Sequence, residues 1–202
     1  MQETRELERT CYCGELDEKL IGSEVVVMGW VDRIRDLGNL IFVDLRDRTG
    51  VVQIVASSGQ HAIMKVAKEI RPEYVIAVVG KVTERDPETV NPDIPTGTLE
   101  VRAEVIEVLN ASSTPPFPIN EDITTSEETR LRYRFLDLRR RPLQKNIRLR
   151  HDITLAARNH LSEAGFYEIE TPFLTKSTPQ GARHNLGPSR DHHGHDYALP
   201  QA

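Results

Sequence analysis

The sequence predicts a protein of mixed β and α class, in which an N-terminal barrel of five strands precedes a helical C-terminal part. Two observations predict this. Residues 24–109 contain short β-branched runs separated by turn residues. Residues 110–126 then carry three prolines, and the longest helical periodicity follows them. We therefore expect a barrel domain over residues 1–109, a linker and hinge over 110–141, and the start of a second domain over 142–202.

Five strands and one helix are expected in the first domain. The predicted strands are residues 24–36, 39–47, 50–56, 73–84 and 98–109. Between the third and fourth strands, apolar residues recur at i, i+3, i+4 and i+7 from Ile63 to Ile70, which predicts an amphipathic helix. Three strands, a helix and two strands is the element order of the OB-fold, a small Greek-key barrel that often binds oligonucleotides.

The second predicted strand places an aromatic ring on its polar face. Aliphatic residues occupy every odd position from Ile41 to Leu45 and are expected to face the barrel interior. The even positions are Phe42, Asp44 and Arg46, so the phenylalanine shares its face with charged side chains. Such a ring is either a base-stacking platform for single-stranded nucleic acid or an isolated surface residue, and the pattern alone leaves both interpretations open.

The first predicted strand adds cations beside that ring. Arg33 and Arg35 are expected on one face of this strand, with Trp30 and Ile34 on the other. Guanidinium groups near an exposed ring suit single-stranded RNA, because bases stack on the ring while the phosphates meet the cations.

Composition excludes several classes of protein. No run of about 20 apolar residues occurs among the 202, so no transmembrane helix is expected. The N-terminus lacks the apolar stretch of a signal peptide, and Cys11 and Cys13 are too few for a four-cysteine zinc site, which indicates a reduced, cytoplasmic setting. The net charge of −5 is unevenly spread, because residues 130–150 hold nine basic side chains and one acidic one. A locally basic surface favours binding to the phosphate backbone of a nucleic acid.

The second part of the chain is predicted to be mainly helical. Thr125 and Glu128 have the spacing of a capping box that opens a helix. Residues 143–164 form one long amphipathic helix, with Gly165 placed to end it. Residues 166–171 are then predicted as a strand that stops before a proline.

Longer strings of residues carry a resemblance to a known family. GWVDRIRDLGNLIFVDLRDRTGVVQIV, residues 29–55, strongly resembles the anticodon-binding OB domain of bacterial-type aspartyl-tRNA synthetases. RTCYCGEL, residues 9–16, resembles the start of that family, and EETRLRYRFLDLRR, residues 127–140, resembles its hinge. Glycine, aromatic residue and proline in residues 165–172 match motif 1 of class II synthetases. Lysyl- and asparaginyl-tRNA synthetases share the architecture, but DLRDR and RFLDLRR favour the aspartyl branch.

The resemblance implies a fold and a role for the exposed face. The fold is a five-stranded OB barrel, then a hinge, then the motif 1 helix and strand that begin a class II α+β catalytic domain. Phe42 would stack on the central uridine of the anticodon, and the Gln53 amide would pair with that base. Arg33 and Arg35 would contact anticodon bases and phosphates, and Leu37 resembles enzymes restricted to tRNA-Asp rather than those that also charge tRNA-Asn. The implied partner is the anticodon stem–loop of tRNA-Asp.

The resemblance also implies an assembly and a reaction. Motif 1 forms the homodimer interface of class II enzymes, with Pro172 near the partner's active site. The alternative is an amphipathic helix packed within one chain, and the family match favours the dimer. Full-length relatives join aspartate to tRNA through aspartyl-adenylate, using ATP and Mg²⁺ held by motifs 2 and 3. The 202 residues contain neither motif, so no catalytic residue is assigned, and we expect this chain alone to be inactive and to bind neither cofactor productively.

The last segment departs from the family pattern. Relatives read TPEGARDYLVPSR where this chain reads TPQGARHNLGPSR, so Gln180 replaces the glutamate that would hold the ammonium group of aspartate. A neutral amide loses most of that charge pairing, and weaker aspartate binding is expected. The segment is also rich in histidine, but a metal site needs a supporting shell of second-layer contacts, and none is expected for His184, His192, His193 and His195.

Two functional hypotheses follow. One is an aspartate–tRNA ligase of which this chain is the N-terminal part. The other is a non-catalytic RNA-binding module that keeps the barrel and has lost the active site, which Gln180 and the histidine-rich end favour.

Overall fold

The computed structural model describes residues 7–119, 124–176 and 186–198. It divides the chain into two compact units, Met1–Pro118 and Ile119–Ala202. The division falls inside the stretch predicted as linker and hinge. No helix of the described residues has the length and apolar character needed to cross a membrane.

The first unit is a closed five-stranded barrel. Its elements are β1 (Glu24–Asp36), β2 (Leu40–Arg46), β3 (Val51–Ser57), α1 (His61–Glu69), β4 (Val75–Glu84) and β5 (Leu99–Asn110). The strand order is β1-β2-β3-β5-β4, and β4 pairs back onto β1 to close the barrel. Only β3 and β5 run parallel. The predicted OB-fold is confirmed, and each predicted strand boundary lies within two residues of the observed one.

The barrel core is built from alternate residues of each strand. Ile41, Val43 and Leu45 of β2 are almost fully buried, whereas the residues between them are partly exposed, as the alternation predicted. Helix α1 packs against the barrel and buries Ile63 and Met64 in its core. Each fully buried aliphatic side chain stabilises the fold by about 1.5–3 kcal/mol relative to an exposed one, so the inward rows hold the barrel together.

A β-bulge interrupts β1 and reverses which side chains face the core. The ladder pairs Val31 with Leu45 and then Arg33 with Asp44, so Asp32 has no partner in β2. Two residues of β1 thus span the step that one residue spans in β2, which defines a bulge.

The bulge changes the predicted faces of β1. After it, Arg33 and Arg35 point outward and Ile34 packs against the core, as expected from the sequence. The prediction for Trp30 is wrong: its cross-strand partner is Arg46, on the outer surface, so it shares that surface with the two arginines. Strict alternation failed because the extra residue shifts the register between Trp30 and Arg33.

The second unit contains three helices and a small sheet. Its elements are α2 (Glu127–Arg132), α3 (Arg134–Asp137), α4 (Arg141–Glu163), β6 (Thr175–Lys176), β7 (Leu186–Pro188) and β8 (Asp196–Ala198). The three strands form an antiparallel sheet in the order β6-β8-β7. Gly165, at φ +88°, directly follows the C-cap residue Ala164, and the Phe166 N–H donates to the Leu161 carbonyl, so the predicted glycine stop of α4 is confirmed.

Two local predictions in this unit are wrong. The cap of α2 is Ser126, whose hydroxyl accepts a hydrogen bond from the Thr129 N–H, and not Thr125. Adjacent hydroxyl residues give the same capping signal, so the sequence left the position uncertain by one residue. Residues 166–171 form no strand, because a strand needs a hydrogen-bonded neighbour and no described residue pairs with them.

Candidate nucleic-acid interface

The outward side chains of four neighbouring strands form one continuous surface, here called the outer face. Strand register arranges them in two rows across β1, β2, β3 and β5. The first row is Arg35, Phe42, Val55 and Arg102, and the second is Arg33, Asp44, Gln53 and Glu100. Four predicted anticodon-binding residues from three successive strands are therefore brought onto one surface by the barrel.

The fifth predicted residue, Leu37, lies at the edge of this face in the turn between β1 and β2. Its side chain is 71% exposed. The turn is closed by the Leu37 N–H, which donates to the Leu40 carbonyl at 2.9 Å, and by Gly38 at φ +83°. Such a φ favours glycine, so the turn presents Leu37 at a fixed place beside the arginines.

The Phe42 ring is held beside a cation. It is partly exposed, and the Arg35 guanidinium lies 5.4 Å from its centroid. Attraction between the ring and the cation contributes about 0.5–1 kcal/mol at a surface position and restricts the ring's orientation. The face therefore combines an aromatic surface with a guanidinium donor.

The Gln53 amide is buried and its orientation is fixed from both ends. Only 3% of the residue is exposed. Its Oε1 accepts a hydrogen bond from Arg35 Nη2 at 2.8 Å, and its Nε2 donates to Glu100 Oε2 at 3.1 Å. The Arg35 guanidinium also lies 3.4 Å from Asp44 Oδ1 and is about half exposed. A base can thus reach Oε1 only by displacing a side chain that has room to move.

Sequence reasoning missed two residues of this site. Glu100 is 8% exposed and meets Gln53 across the parallel pair of β3 and β5. Arg85 is 7% exposed; its Nε donates to the Leu99 carbonyl, and its Nη2 has no hydrogen-bond partner among the described residues. The available signal was a charged residue within β5 for Glu100 and one directly after β4 for Arg85, but such residues usually face solvent.

Burial and charge together set the electrostatics of the face. Burial raises the pKa of Asp44, and the cations Arg35 and Arg85 partly offset that increase. Burial lowers the pKa of Arg85, opposed by Asp44 and Glu100. The arginines of this region outnumber its carboxylates, which favours an anionic ligand.

The remaining predicted residues lie in the second unit. Pro172 is exposed. Gln180 and His184 fall outside the described residues. The rings of His192 and His195 lie 6.4 Å apart, and no group of three metal-binding side chains occurs within residues 7–119, 124–176 and 186–198.

Some of the basic side chains between residues 130 and 150 form ion pairs within the protein. Arg130, Arg134 and Arg140 all bind the buried carboxylate of Asp137, at 3.0–3.2 Å. This part of the run therefore serves the fold, and it is a weaker candidate for RNA than the outer face.

Comparisons with known families place both units. Residues 25–109 match the family described as OB-fold nucleic acid binding domain, and residues 126–202 match tRNA synthetases class II (D, K and N). Among solved structures, asparaginyl-tRNA synthetase from Pyrococcus horikoshii with asparaginyl-adenylate aligns with a TM-score of 0.80 at 30% identity, over 97% of this chain and 43% of that one. A putative aspartyl-tRNA synthetase from Leishmania major aligns with a TM-score of 0.82 over 100% of this chain and 41% of that one; at 22% identity it supports the fold alone.

The sequence relatives are more similar still. Aspartate–tRNA ligase from Geobacillus kaustophilus is 54% identical over 197 residues, which is 97% of this chain and 33% of the relative. Aspartate–tRNA(Asp/Asn) ligase from Natranaerobius thermophilus is also 54% identical over 197 residues, 97% of this chain and 34% of the relative. The chain spans about a third of the length of these curated relatives.

Proposed function

The chain belongs to the aspartyl-tRNA synthetase family of class II, and from this premise we propose that the whole protein is an aspartate–tRNA ligase whose barrel binds the anticodon of tRNA-Asp. The observation that supports the binding role is the outer face, where a partly exposed Phe42 ring lies among arginines and beside an oriented amide. The Gln53 amide is hydrogen-bonded at both ends, so it presents its acceptor and its donor in fixed positions on this face.

The outer face suggests how the central anticodon base is read. Uridine stacked on Phe42 presents an N3–H donor and carbonyl acceptors on its exposed edge. Gln53 offers the complementary pair, Oε1 as acceptor and Nε2 as donor. Cytidine would require the amide to be flipped, and the hydrogen bond from Nε2 to Glu100 opposes that flip because the carboxylate can only accept.

Binding of the base to Gln53 in this way requires Arg35 to move. Arg35 must leave Gln53 Oε1 for the base to bind there, and its half-exposed side chain can then turn toward a phosphate. Arg33, exposed at the end of the second row, lies ready for a neighbouring phosphate. Charge–charge contacts with the backbone give affinity, and the Gln53 amide gives base preference.

ATP and Mg²⁺ belong to the proposed reaction of the whole protein, in which they would activate the aspartate carboxyl group as an adenylate. The described residues offer no cluster of three carboxylate, imidazole or thiol groups that fits a metal ion. We therefore assign no described residue to either cofactor. The proposed location is the cytoplasm, where Cys11 and Cys13 remain free thiols.

A homodimer is proposed for the whole protein through α4 and the segment after it. Many large apolar side chains of this region are exposed: Ile147, Leu149, Ile153, Leu155, Leu161, Phe166, Ile169 and Phe173. Pro172 lies among them. Apolar surface of this extent marks an interaction site in a stable protein.

The second candidate, a non-catalytic RNA-binding module, is favoured by Gln180 in place of the family glutamate. Aspartate-dependent exchange of pyrophosphate into ATP by the whole protein separates the two. Exchange supports the ligase, and its absence supports the module.

Replacing Phe42 tests the binding role shared by both candidates. Phe42→Ala should weaken binding of the tRNA-Asp anticodon stem–loop by about 1–3 kcal/mol, the contribution of one stacked base, in a filter-binding assay. Phe135→Ala, which removes another exposed ring from helix α3, is the matched control and should bind as wild type. If Phe42→Ala has no effect while charge reversal of Arg139 and Arg141 abolishes binding, the outer face is not the RNA site.

A further inference from the structure

Arg46 joins two carboxylates at the point where β1 changes face. Its Nη1 lies 2.9 Å from Asp32 Oδ1, and its Nη2 lies 2.7 Å from Glu73 Oε2. The arginine side chain is 15% exposed and that of Glu73 is 10% exposed. Asp32 is the bulge residue itself. One guanidinium thus links the bulge in β1 to β2 and to the residues just before β4.

The backbone around the bulge is also tightly constrained. Glu73 has φ +70°, a left-handed conformation that is uncommon for a residue other than glycine, and its N–H donates to the Val31 carbonyl at 2.7 Å. On the bulged strand itself, a Cβ atom on Gly29 would collide with the backbone carbonyl of Arg46 in β2. The bulge is therefore held from both sides, by side-chain charge and by close backbone approach.

The direction of two RNA-facing arginines depends on this bulge. Before it, Val25, Val27 and Val31 face inward at odd positions of β1. Without the extra residue, the odd positions Arg33 and Arg35 would face the core as well, and Ile34 would face solvent. The bulge returns the arginines to the outer face and Ile34 to the interior.

We propose that Arg46 is a positioning residue for RNA binding, because it pins the Asp32 bulge and thereby fixes where Arg33 and Arg35 leave the barrel. This inference rests on the proposed anticodon-binding role of the outer face. Both terminal nitrogens of Arg46 are committed to carboxylates and its side chain is mostly buried, so it acts through the two arginines rather than by touching RNA.

Removing the guanidinium would loosen the bulge for an electrostatic reason. Asp32 and Glu73 would lose the cation that bridges them, and the repulsion between the two carboxylates would no longer be offset. Lysine at position 46 would keep the charge but cannot bridge two carboxylates with a planar fork. The affinity of Arg46→Lys for the anticodon stem–loop should therefore lie between those of wild type and Arg46→Met.

Binding of the tRNA-Asp anticodon stem–loop to the full 202-residue chain tests the inference. Arg46→Met should weaken binding about tenfold, as expected for loss of one well-placed charged contact. Arg48→Met is the matched control for loss of one positive charge. Arg48 is exposed, lies over the Tyr12 ring and is not part of the outer face. Its replacement should weaken stem–loop binding less than about twofold.

A double-mutant cycle distinguishes positioning from general stability. In an Arg33→Ala, Arg35→Ala background, Arg46→Met should change binding less than about twofold, because the groups that it positions are already absent. Emission from Trp30, the single tryptophan and the cross-strand partner of Arg46, should shift in Arg46→Met and not in Arg48→Met. If Arg46→Met does not fold, Arg46→Lys replaces it in the same cycle, with an expected loss of about threefold.

The outcomes separate this inference from the proposed function. If Phe42→Ala weakens binding but Arg46→Met does not, or if Arg46→Met costs the same in both backgrounds, Arg46 does not position the arginines. If Phe42→Ala leaves binding unchanged, the outer face is not the anticodon site and the proposed function fails first.

Discussion

At the scale of single residues, the main feature of the site is an amide whose orientation is imposed by its neighbours. A glutamine in solution presents its oxygen and nitrogen interchangeably, because the terminal torsion rotates freely. Here Arg35 can only donate and Glu100 can only accept, so the Gln53 oxygen faces Arg35 and its nitrogen faces Glu100. Under the proposed anticodon-binding role, base preference depends on Glu100, which sequence reasoning did not identify as a site residue.

Glu100→Gln should reduce discrimination between bases more than it reduces affinity. A glutamine at this position can accept or donate, so Gln53 could flip and pair with cytidine. We expect the ratio of affinities for stem–loops with a central uridine and a central cytidine to fall about fivefold, corresponding to roughly 1 kcal/mol of hydrogen-bond preference. Glu104→Gln, an exposed change in the same strand, should leave the ratio unchanged. An unchanged ratio in Glu100→Gln would show that Glu100 does not orient the amide.

At the scale of elements, the helical hinge is organised around one buried carboxylate. Asp137 is fully buried and binds Arg130, Arg134 and Arg140. Burial by itself raises the pKa of Asp137, but the hydrogen bonds from Arg130 and Arg140 outweigh it and hold the pKa below the ordinary value. Helices α2 and α3 have only six and four residues, too short to be stable alone, so this cluster carries much of their stability.

Asp137→Asn should destabilise the hinge at neutral pH by roughly 2 kcal/mol. This loss is smaller than that expected for a fully buried ion pair, because the Arg134 side chain is half exposed to solvent. Because the folded pKa lies below the unfolded one, the ionic contribution is complete above about pH 4 and is lost as the pH falls through the folded value. Wild type and Asp137→Asn should therefore converge in acid. Amide hydrogen exchange of α2 and α3 measures this, with the exposed Asp152→Asn as control. A constant difference at all pH values would contradict the ionic explanation.

At the scale of the whole molecule, the two units differ in the extent to which their apolar side chains are buried. The barrel buries its aliphatic residues almost completely, whereas α4 has no buried residue along its 23 positions. A helix with that many exposed apolar side chains needs a covering surface, since burying each one would contribute up to about 1.5–3 kcal/mol. The proposed homodimer supplies one in the whole protein.

A charge on the apolar surface of α4 should break that dimer. Ile153, 61% exposed, is a suitable position. In the whole protein, Ile153→Lys should convert a dimer to a monomer in light scattering, because a buried ammonium without a partner is strongly unfavourable. Asn159→Lys, an exposed position on the side of the helix away from Ile147, Ile153 and Leu161, should leave the dimer intact. If Ile153→Lys lowers the unfolding temperature but keeps the dimer, another part of the same chain covers α4.

The sequence by itself determined the elements of the barrel and much of the candidate site. Alternation of aliphatic and polar residues located the inward row of β2 and singled out Phe42, because the period of two depends only on local backbone geometry. Gly165 marked the end of α4 for the same local reason, since a left-handed cap favours glycine. Arg33 and Arg35 were predicted beside this ring from the face pattern of the first strand and again from the family resemblance, whereas Gln53 came from that resemblance alone.

Only the tertiary structure decided which of these residues act together. The bulge at Asp32 depends on ladder register, which period-two patterning cannot show, and it reversed the predicted face of Trp30. Gln53 and Glu100 are 47 residues apart and meet because β3 and β5 pair in parallel across the barrel. A local pattern depends only on neighbouring residues, whereas a hydrogen bond between distant strands exists only once the barrel has closed.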